Sequence, residues 1–549
     1  MKSISTILFF LSLTLLLVAQ DGIEQNKVNV IAKYKNAECE MLKSALFSNE
    51  KAILFKTETD SIIKLKRKRY QEIKQYGFAT ISKSNGTITN FKNKQLLKND
   101  NENFYKVLDT KDNQRKILTY SNNKKEQVIQ AFKYNVAFNE AEINFTKEIE
   151  TEAFSYSDSN AAVQFLTSKN GEFHALVLTP NIQDAKYPPT GNHHLSRRNA
   201  PAEILTFDDD FKLLWKKIIP FNSMPAYPYY NTFGILNNGL VYYIEDAVKK
   251  EQPTNKEMAT YFLNETILGY DIKLINETGI SHQVSIKSPE TVFLEVDLSL
   301  HNERLIAQGY YVDNFTRYFG VSGLFNKSYS ITEKKATDIA VIPLAPEIVE
   351  KMLTSGHQKR FDKNPRKESP FSNAFQFYHP KDGNSSISIL RQSCHNSAHP
   401  ESGGTGNHDY LGTLVTKMDK SGNVLWQRTI ARFQSEELSN TMTATGYKFV
   451  GDKIYLFFND VENNFGLENV KEARRVATAA HFKTYGAGLC TRMTVIDKVG
   501  VVTEANIFDS GKKQMATEEF YYCPINNSLT LLYGSYYKKT TLIGELRLD

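Results

Sequence analysis

The chain has 549 residues, with 67 Lys and Arg against 61 Asp and Glu, a formal net charge of +6. So small an excess over this length argues against nucleic acid as a partner, and the one basic run, Lys64 to Arg69, reads as a solvated strand or loop. A hydrophobic fraction of 41% supports a large core, and 34 Phe with 29 Tyr against 2 Trp favours strands, where aromatic rings pack on a pleated surface.

In chain order, the first element is a leader. Lys2 supplies a positive start, an apolar run extends from Ile7 to Val18, and Ala19 precedes the polar Gln20-Asp21. This is the pattern of a secretory signal peptide spanning 1–20, cleaved near Ala19 or Gln20. Its length is short for a membrane anchor, and no later run reaches the roughly 18 apolar residues a spanning helix needs. The expectation is an exported chain, periplasmic or secreted, with no membrane span after cleavage.

The mature region, 21–549, reads as one repeat array. A free strand, Val28 to Tyr34, is followed by weak strand–turn–strand repeats near 41–93 and 103–150. A clearer copy pairs Ala161–Thr167 with Phe173–Thr179 around Lys169-Asn170-Gly171, then adds the hairpin Ala202–Pro220. Further copies fall near 230–288 and 291–340. An insertion at 341–370 follows, with a short helix at Ala345–Leu353 and a polar loop expected to be mobile. Two strong copies come next, one ending in Gly412–Ala431 and one in Arg492–Asp509, each built on alternating apolar residues around a polar turn. The tail from Glu518 supplies three strands only. A four-stranded unit of this size is a propeller blade. The expected fold is therefore an all-β, single β-propeller of about eight blades, six or seven being the alternatives, closed by the N-terminal strand. The competing architecture, several β-sandwiches, predicts Pro/Gly/Ser-rich linkers between domains.

The segments Asp419-x-x-Gly422-x-x-x-Trp426, His301 to Asn314 and Lys453 to Asn464 resemble large secreted β-propeller-like proteins of Bacteroidota-type bacteria, a group without an assigned activity. The resemblance covers most of the chain after about residue 100 and implies fold rather than chemistry. Such proteins often carry a C-terminal sorting domain. The sequence ends inside a strand at Leu548-Asp549, so the resemblance favours the periplasm over the outer surface.

Catalytic signatures are few. The Asp419, Gly422 and Trp426 gaps of three and seven differ from those of a sialidase Asp box. Trp215 and Trp426 occupy equivalent repeat positions and read as packing residues. Gly403-Gly404-Thr405-Gly406 lacks the Lys-Ser or Lys-Thr of a phosphate loop, and neither GxSxG nor HExxH occurs.

Histidines are uneven. Long connections between second and third strands, at 181–200, 247–266, 393–410 and 460–488, would share one propeller face with the insertion. They hold His193, His194, His395, His399, His408 and His481, and the insertion holds His357. Long loops on one face of a rigid scaffold commonly carry the interaction. Cys394, His395, His399 and His408, beside Asp409, form a candidate divalent-metal site, zinc suiting a Cys–His mixture. Alternatively Cys394 bonds Cys490 or Cys523. No other cofactor is implied. The functional expectation is a non-enzymatic binding or scaffolding protein that meets a protein or glycan at the cell envelope. The alternative is a propeller hydrolase or lyase acting on a polysaccharide, with converging acids near the axis.

Overall fold

The computed structural model describes residues 29–35, 42–48, 52–65, 69–84, 88–91, 104–108, 115–123, 126–135, 140–148, 163–178, 198–223, 233–250, 265–287, 291–313, 321–355, 373–380, 384–396, 407–437, 445–474, 476–477, 489–508, 515–523, 528–535 and 540–548. The leader, the polar part of the insertion, and His193, His194, His357, His399 and His481 lie outside these residues.

The chain is all-β. Among the described residues the strands form eight sheets, each a four-stranded antiparallel unit, two of them extended by one short strand. Sheet I comprises Leu42–Ser48, Ala52–Leu65, Arg69–Ser82 and Ile88–Phe91. Sheet II comprises Phe104–Leu108, Arg115–Asn123, Glu126–Asn135 and Glu140–Glu148. Sheet III comprises Val163–Thr167, Phe173–Leu178, Arg198–Asp208 and Leu213–Ser223. Sheet IV comprises Phe233–Ile235, Val241–Lys250, Glu265–Asn276 and Gly279–Lys287.

Sheet V comprises Thr291–His301, Arg304–Asp313, Gly323–Ser330 and Lys335–Ala336, with Ala340–Pro343 added to the third strand. Sheet VI comprises Asn373–Tyr378, Ser385–Asn396, Asn407–Asp419 and Val424–Glu437, with Val476–Ala477 paired parallel to the last. Sheet VII comprises Thr445–Val450, Lys453–Val461, Leu489–Ile496 and Val502–Asn506. Sheet VIII comprises Met515–Cys523, Ser528–Ser535 and Thr540–Arg547, and its fourth strand is Asn29–Lys35, from the other end of the sequence. The sheets fall on the repeats that alternation and turn residues predict.

Side-chain alternation sends the two faces of a sheet to two different neighbours. Tyr243, Ile275 and Phe233 of sheet IV pack on Val177, Ile204 and Ile219 of sheet III. Ile272, Leu274 and Ile286 pack on Phe293, Leu305 and Phe325 of sheet V. The same relation joins V to VI through Tyr310, Leu324, Leu390 and Leu414, and VI to VII through Ile389, Val415, Leu456 and Phe458. It joins VII to VIII through Phe457, Met493, Leu529 and Leu546. Lys83, at the end of sheet I, pairs with Glu545 of sheet VIII at 2.6 Å. The core is thus a succession of apolar layers between consecutive sheets rather than one central mass.

The hairpin between third and fourth strands repeats one device. Asp208, Asp419 and Asp497 each accept two backbone N–H bonds on Oδ1 at 2.8–3.0 Å, from the residues two and four positions on. The residue three positions on has positive φ: Gly422 at 91°, Gly500 at 85°, and Phe211 at 60°. Phe211 holds that conformation while buried and stacked on His174 at 5.1 Å. Trp426 bridges sheets VI and VII, its Nε1 donating to the Lys498 carbonyl at 3.1 Å, beside Gly500. Trp215 packs against the layer between III and IV. Both tryptophans therefore pack, as the sequence predicts.

The insertion begins with a helix, Pro346–Lys351, whose following residues Met352 and Leu353 are buried. The Lys351 carbonyl accepts from Val470 N–H at 2.8 Å, tying the helix to the connection after sheet VII's second strand. That connection is ordered over 462–474. Buried Arg492 holds its start, donating Nη1 to Asp460 Oδ2 and to the Ala431 carbonyl, both at 2.9 Å, and Nη2 to Glu504. Three expectations change. The second and third strands run further than alternation indicated, to Lys250 and Asn396 and from Arg198, Glu265 and Asn407. Cys394, His395 and His408 consequently stand on strands rather than in a free loop, because the ladder continues through their backbone groups. Cys490 is a free, buried thiol, bonded to the Asp460 carbonyl at 3.6 Å, so it forms no bridge to Cys394. Among the described residues no helix is long and apolar enough to cross a membrane.

Candidate site where five sheets converge

Asp297 stands on the first strand of sheet V, opposite Gln308. Val296, Leu298 and Leu300 of that strand turn toward the layer shared with sheet IV, as does Phe293. Phe293 and Leu298 differ in parity, so strict alternation cannot put both there. The register shift between Leu294 and Val296 resolves this: Glu295 is an extra residue. The bulge reverses the faces. Without it Asp297 would enter the apolar layer; with it Asp297 faces sheet VI.

What Asp297 meets there is His379, directly after the first strand of sheet VI, on the same face as Phe377. His379 Nε2 donates to Asp297 Oδ2 at 2.8 Å. Only 2% of the His379 side chain is exposed, against 28% for Asp297, so the imidazole stands behind the carboxylate and positions it. The His301 ring lies 6.1 Å from that of His379.

Lys169 reaches Asp297 from sheet III, past sheet IV. Its Nζ is 3.2 Å from Asp297 Oδ2 and 3.4 Å from the Leu298 carbonyl. The turn that carries it is docked. Gly171 has φ 75°, Asn170 N–H donates to Asn237 Oδ1 at 3.0 Å, and Asn170 Nδ2 donates to the Asn237 carbonyl at 3.2 Å. Tyr242 of sheet IV lies across its register partner Gly234; a Cβ there would fall 2.0 Å from the ring. Only glycine lets the ring cross the first strand. Tyr447, on the first strand of sheet VII, accepts a hydrogen bond from Gln376 and feels the charges of both Arg391 and Asp297. Lys169, Tyr242, Asp297, His379 and Tyr447 thus come from five consecutive sheets.

The electrostatics are ordered around one carboxylate. Burial disfavours the Asp297 charge, but Lys169 and the His379 hydrogen bond outweigh it and hold the carboxyl below its ordinary range. Burial pushes His379 below its usual value against the pull of Asp297, leaving the imidazole neutral at pH 7. Burial, then the Asp297 charge, raises the Tyr242 hydroxyl far above its ordinary range, so it remains a donor. The cluster offers a fixed acceptor, an ammonium and phenolic donors, which suits a ligand rich in hydroxyl groups.

Of the residues that the sequence nominates, Cys394, His395 and His408 lie on described strands and are not among the groups of this cluster, and the others lie outside the described residues. The histidine-bearing connections join second to third strands, whereas Lys169 and His379 follow first strands, at the opposite end of an antiparallel unit. In sheet VI the register sets His395 against His408 and Cys394 against Asp409. Among the described residues no group of three or more His, Cys, Asp or Glu could hold a metal ion. One signal could have pointed to the cluster: Lys169, His301 and His379 all occur where a first strand ends.

No protein-family model matches the chain, and no curated protein matches its sequence. Among solved structures, a polysaccharide lyase overlaps at TM-score 0.35 and 10% identity, covering 81% of this chain and 90% of the lyase. A protein from Lactobacillus plantarum overlaps at TM-score 0.35 and 8% identity, covering 83% and 95%. A prolyl endopeptidase structure overlaps at 0.32 and 9% identity, covering 95% of this chain but 58% of the peptidase. Likenesses this loose carry no argument about activity.

Proposed function

We propose that this chain is an exported β-propeller that binds a glycan at the cell envelope, using the cluster around Asp297. The eight sheets are its blades, and strand Asn29–Lys35 closes the ring by completing sheet VIII. The observation that carries the reading is the meeting of Lys169, Asp297 and His379, which lie 128 and 82 residues apart, with Tyr242 and Tyr447 beside them. Consecutive sheets that each contribute one polar group to one place are arranged around an axis, and a ligand on that axis meets all of them.

Binding of oligosaccharides to residues 21–549, measured by calorimetry, tests the reading. Asp297→Asn removes a charge-assisted acceptor of ~1.5–3 kcal/mol, or about 10–100-fold in affinity. Binding unchanged by Asp297→Asn sinks the site. Turnover is the second reading, as hydrolase or lyase. Carboxylate-pair hydrolysis needs two acids, and Asp297 is the one acid at the cluster among the described residues; new reducing ends would mark turnover of either kind, and an ultraviolet-absorbing unsaturated end would mark elimination.

A further inference from the structure

One cation near the cluster has no described counter-charge. Arg391 is on the second strand of sheet VI, against Ala374 and Thr413, two register positions from the Gln376–Ile389 pair. It shares the face of Ile387 and Ile389, which turns toward sheet VII. Its Nε is buried and makes no hydrogen bond. Among the described residues no carboxylate pairs with it; the groups that act on its charge are the hydroxyls of Tyr447 and Tyr410. Arg391 is also absent from the charges that act on Asp297. Beside it, Gln376 spends its amide N–H on Tyr447 and leaves Oε1 buried without a donor.

A guanidinium Nε–H withdrawn from water with no acceptor is costly, and so is a buried amide oxygen with nothing to accept. The two deficits are complementary. The first needs an anion shaped for a fork of N–H donors, and the second needs a hydroxyl or N–H. A hydroxy acid supplies both on neighbouring atoms. We propose that Arg391 and Gln376 form a subsite for the carboxylate and an adjacent hydroxyl of an acidic sugar, so that the glycan bound at Asp297 is a uronate-containing one. This rests on the glycan reading of the Asp297 cluster and adds the charge of the ligand. Tyr447, on which the charges of both Arg391 and Asp297 act, links the two parts.

The probes are trigalacturonate and the neutral galactose trimer, titrated into residues 21–549 in the same buffer. The expected result is at least a tenfold preference for trigalacturonate that collapses in high salt. Arg391→Gln should erase the preference, while Arg391→Lys retains part of it. Equal binding of the two trimers by the wild type overturns the acidic subsite and leaves the glycan site standing; so does a preference that survives Arg391→Gln. If neither trimer binds the wild type, the Asp297 reading fails and the subsite with it. The wild-type ratio and its salt dependence decide the question even if Arg391→Gln does not fold.

Discussion

Gly234 is the residue on which the cluster depends most locally. Tyr242 occupies the volume that any side chain at 234 would fill, with the ring 2.0 Å and the hydroxyl 2.1 Å from an added Cβ. Gly234→Ala should expel Tyr242, costing about 1–3 kcal/mol of stability as an overpacking change and weakening the proposed glycan binding together with it. Urea melts and calorimetry on the same sample check this; a variant with native stability and affinity would show that the ring is not held there. His379 gives a pH dependence. Its folded pKa lies below the ordinary 6.5, so below that pH the unfolded chain takes up a proton that the folded chain resists. Stability should therefore fall as pH drops from 6.5, and His379→Gln should flatten that part of the curve. Asp297, held below its ordinary 3.8, adds a second loss only below that value. A thermal-melt series from pH 7 to pH 4 that is equally steep in His379→Gln would remove His379 as the source. Neither residue was legible in the sequence. Asp297 owes its orientation to the extra residue Glu295, and a one-residue bulge leaves no mark in an alternation of apolar positions.

At the scale of the hairpin, a short polar turn carries more order than its exposure suggests. Asp419 accepts from Ser421 and Asn423 N–H at 2.8 Å and from the Asn423 side chain at 2.9 Å. Those bonds, the Asn423 side chain first, hold its carboxyl below the ordinary range. Asp419→Ala should cost ~1 kcal/mol or less, the site being solvent-screened, and Asp419→Asn should cost less still. Denaturant midpoints measure both; a midpoint for Asp419→Ala equal to that of the wild type would deny the side chain its part. This element was legible because Asp-x-x-Gly is a local signal: its hydrogen bonds close within five residues. The ends of the long second and third strands were not, since Lys250, Asn396 and Asn407 continue a ladder whose partner strand sets its length.

For the whole molecule, the pairing of Asn29–Lys35 with Thr540–Arg547 is the testable joint. Removal of residues 21–35 should leave the last strand of sheet VIII with an open edge and make 515–548 the first region cut by protease; a peptide spanning 28–36, added in trans, should slow that cutting. Cleavage that begins elsewhere, or ignores the peptide, would argue against the strand as a structural closure. The four-stranded units and this free strand could be read from the sequence because each unit repeats the same apolar rhythm. The site could not, because it exists only after sheets III to VII have packed: its contacts join positions 82 and 128 residues apart.

Asn29–Lys35 is made long before its partner Thr540–Arg547. Val30 pairs with Gly544, so the two edges meet only after on the order of 500 residues have been synthesised between them. The entropy of that closure grows slowly with length, but the wait is absolute. Seven sheets can form in order of emergence, each on its predecessor, while the eighth has an unpaired edge open to any other chain. Sheet VIII is therefore completed only once Thr540–Arg547 has emerged, and a chaperone that shields Asn29–Lys35 during that interval would raise yield without touching any other part of the protein.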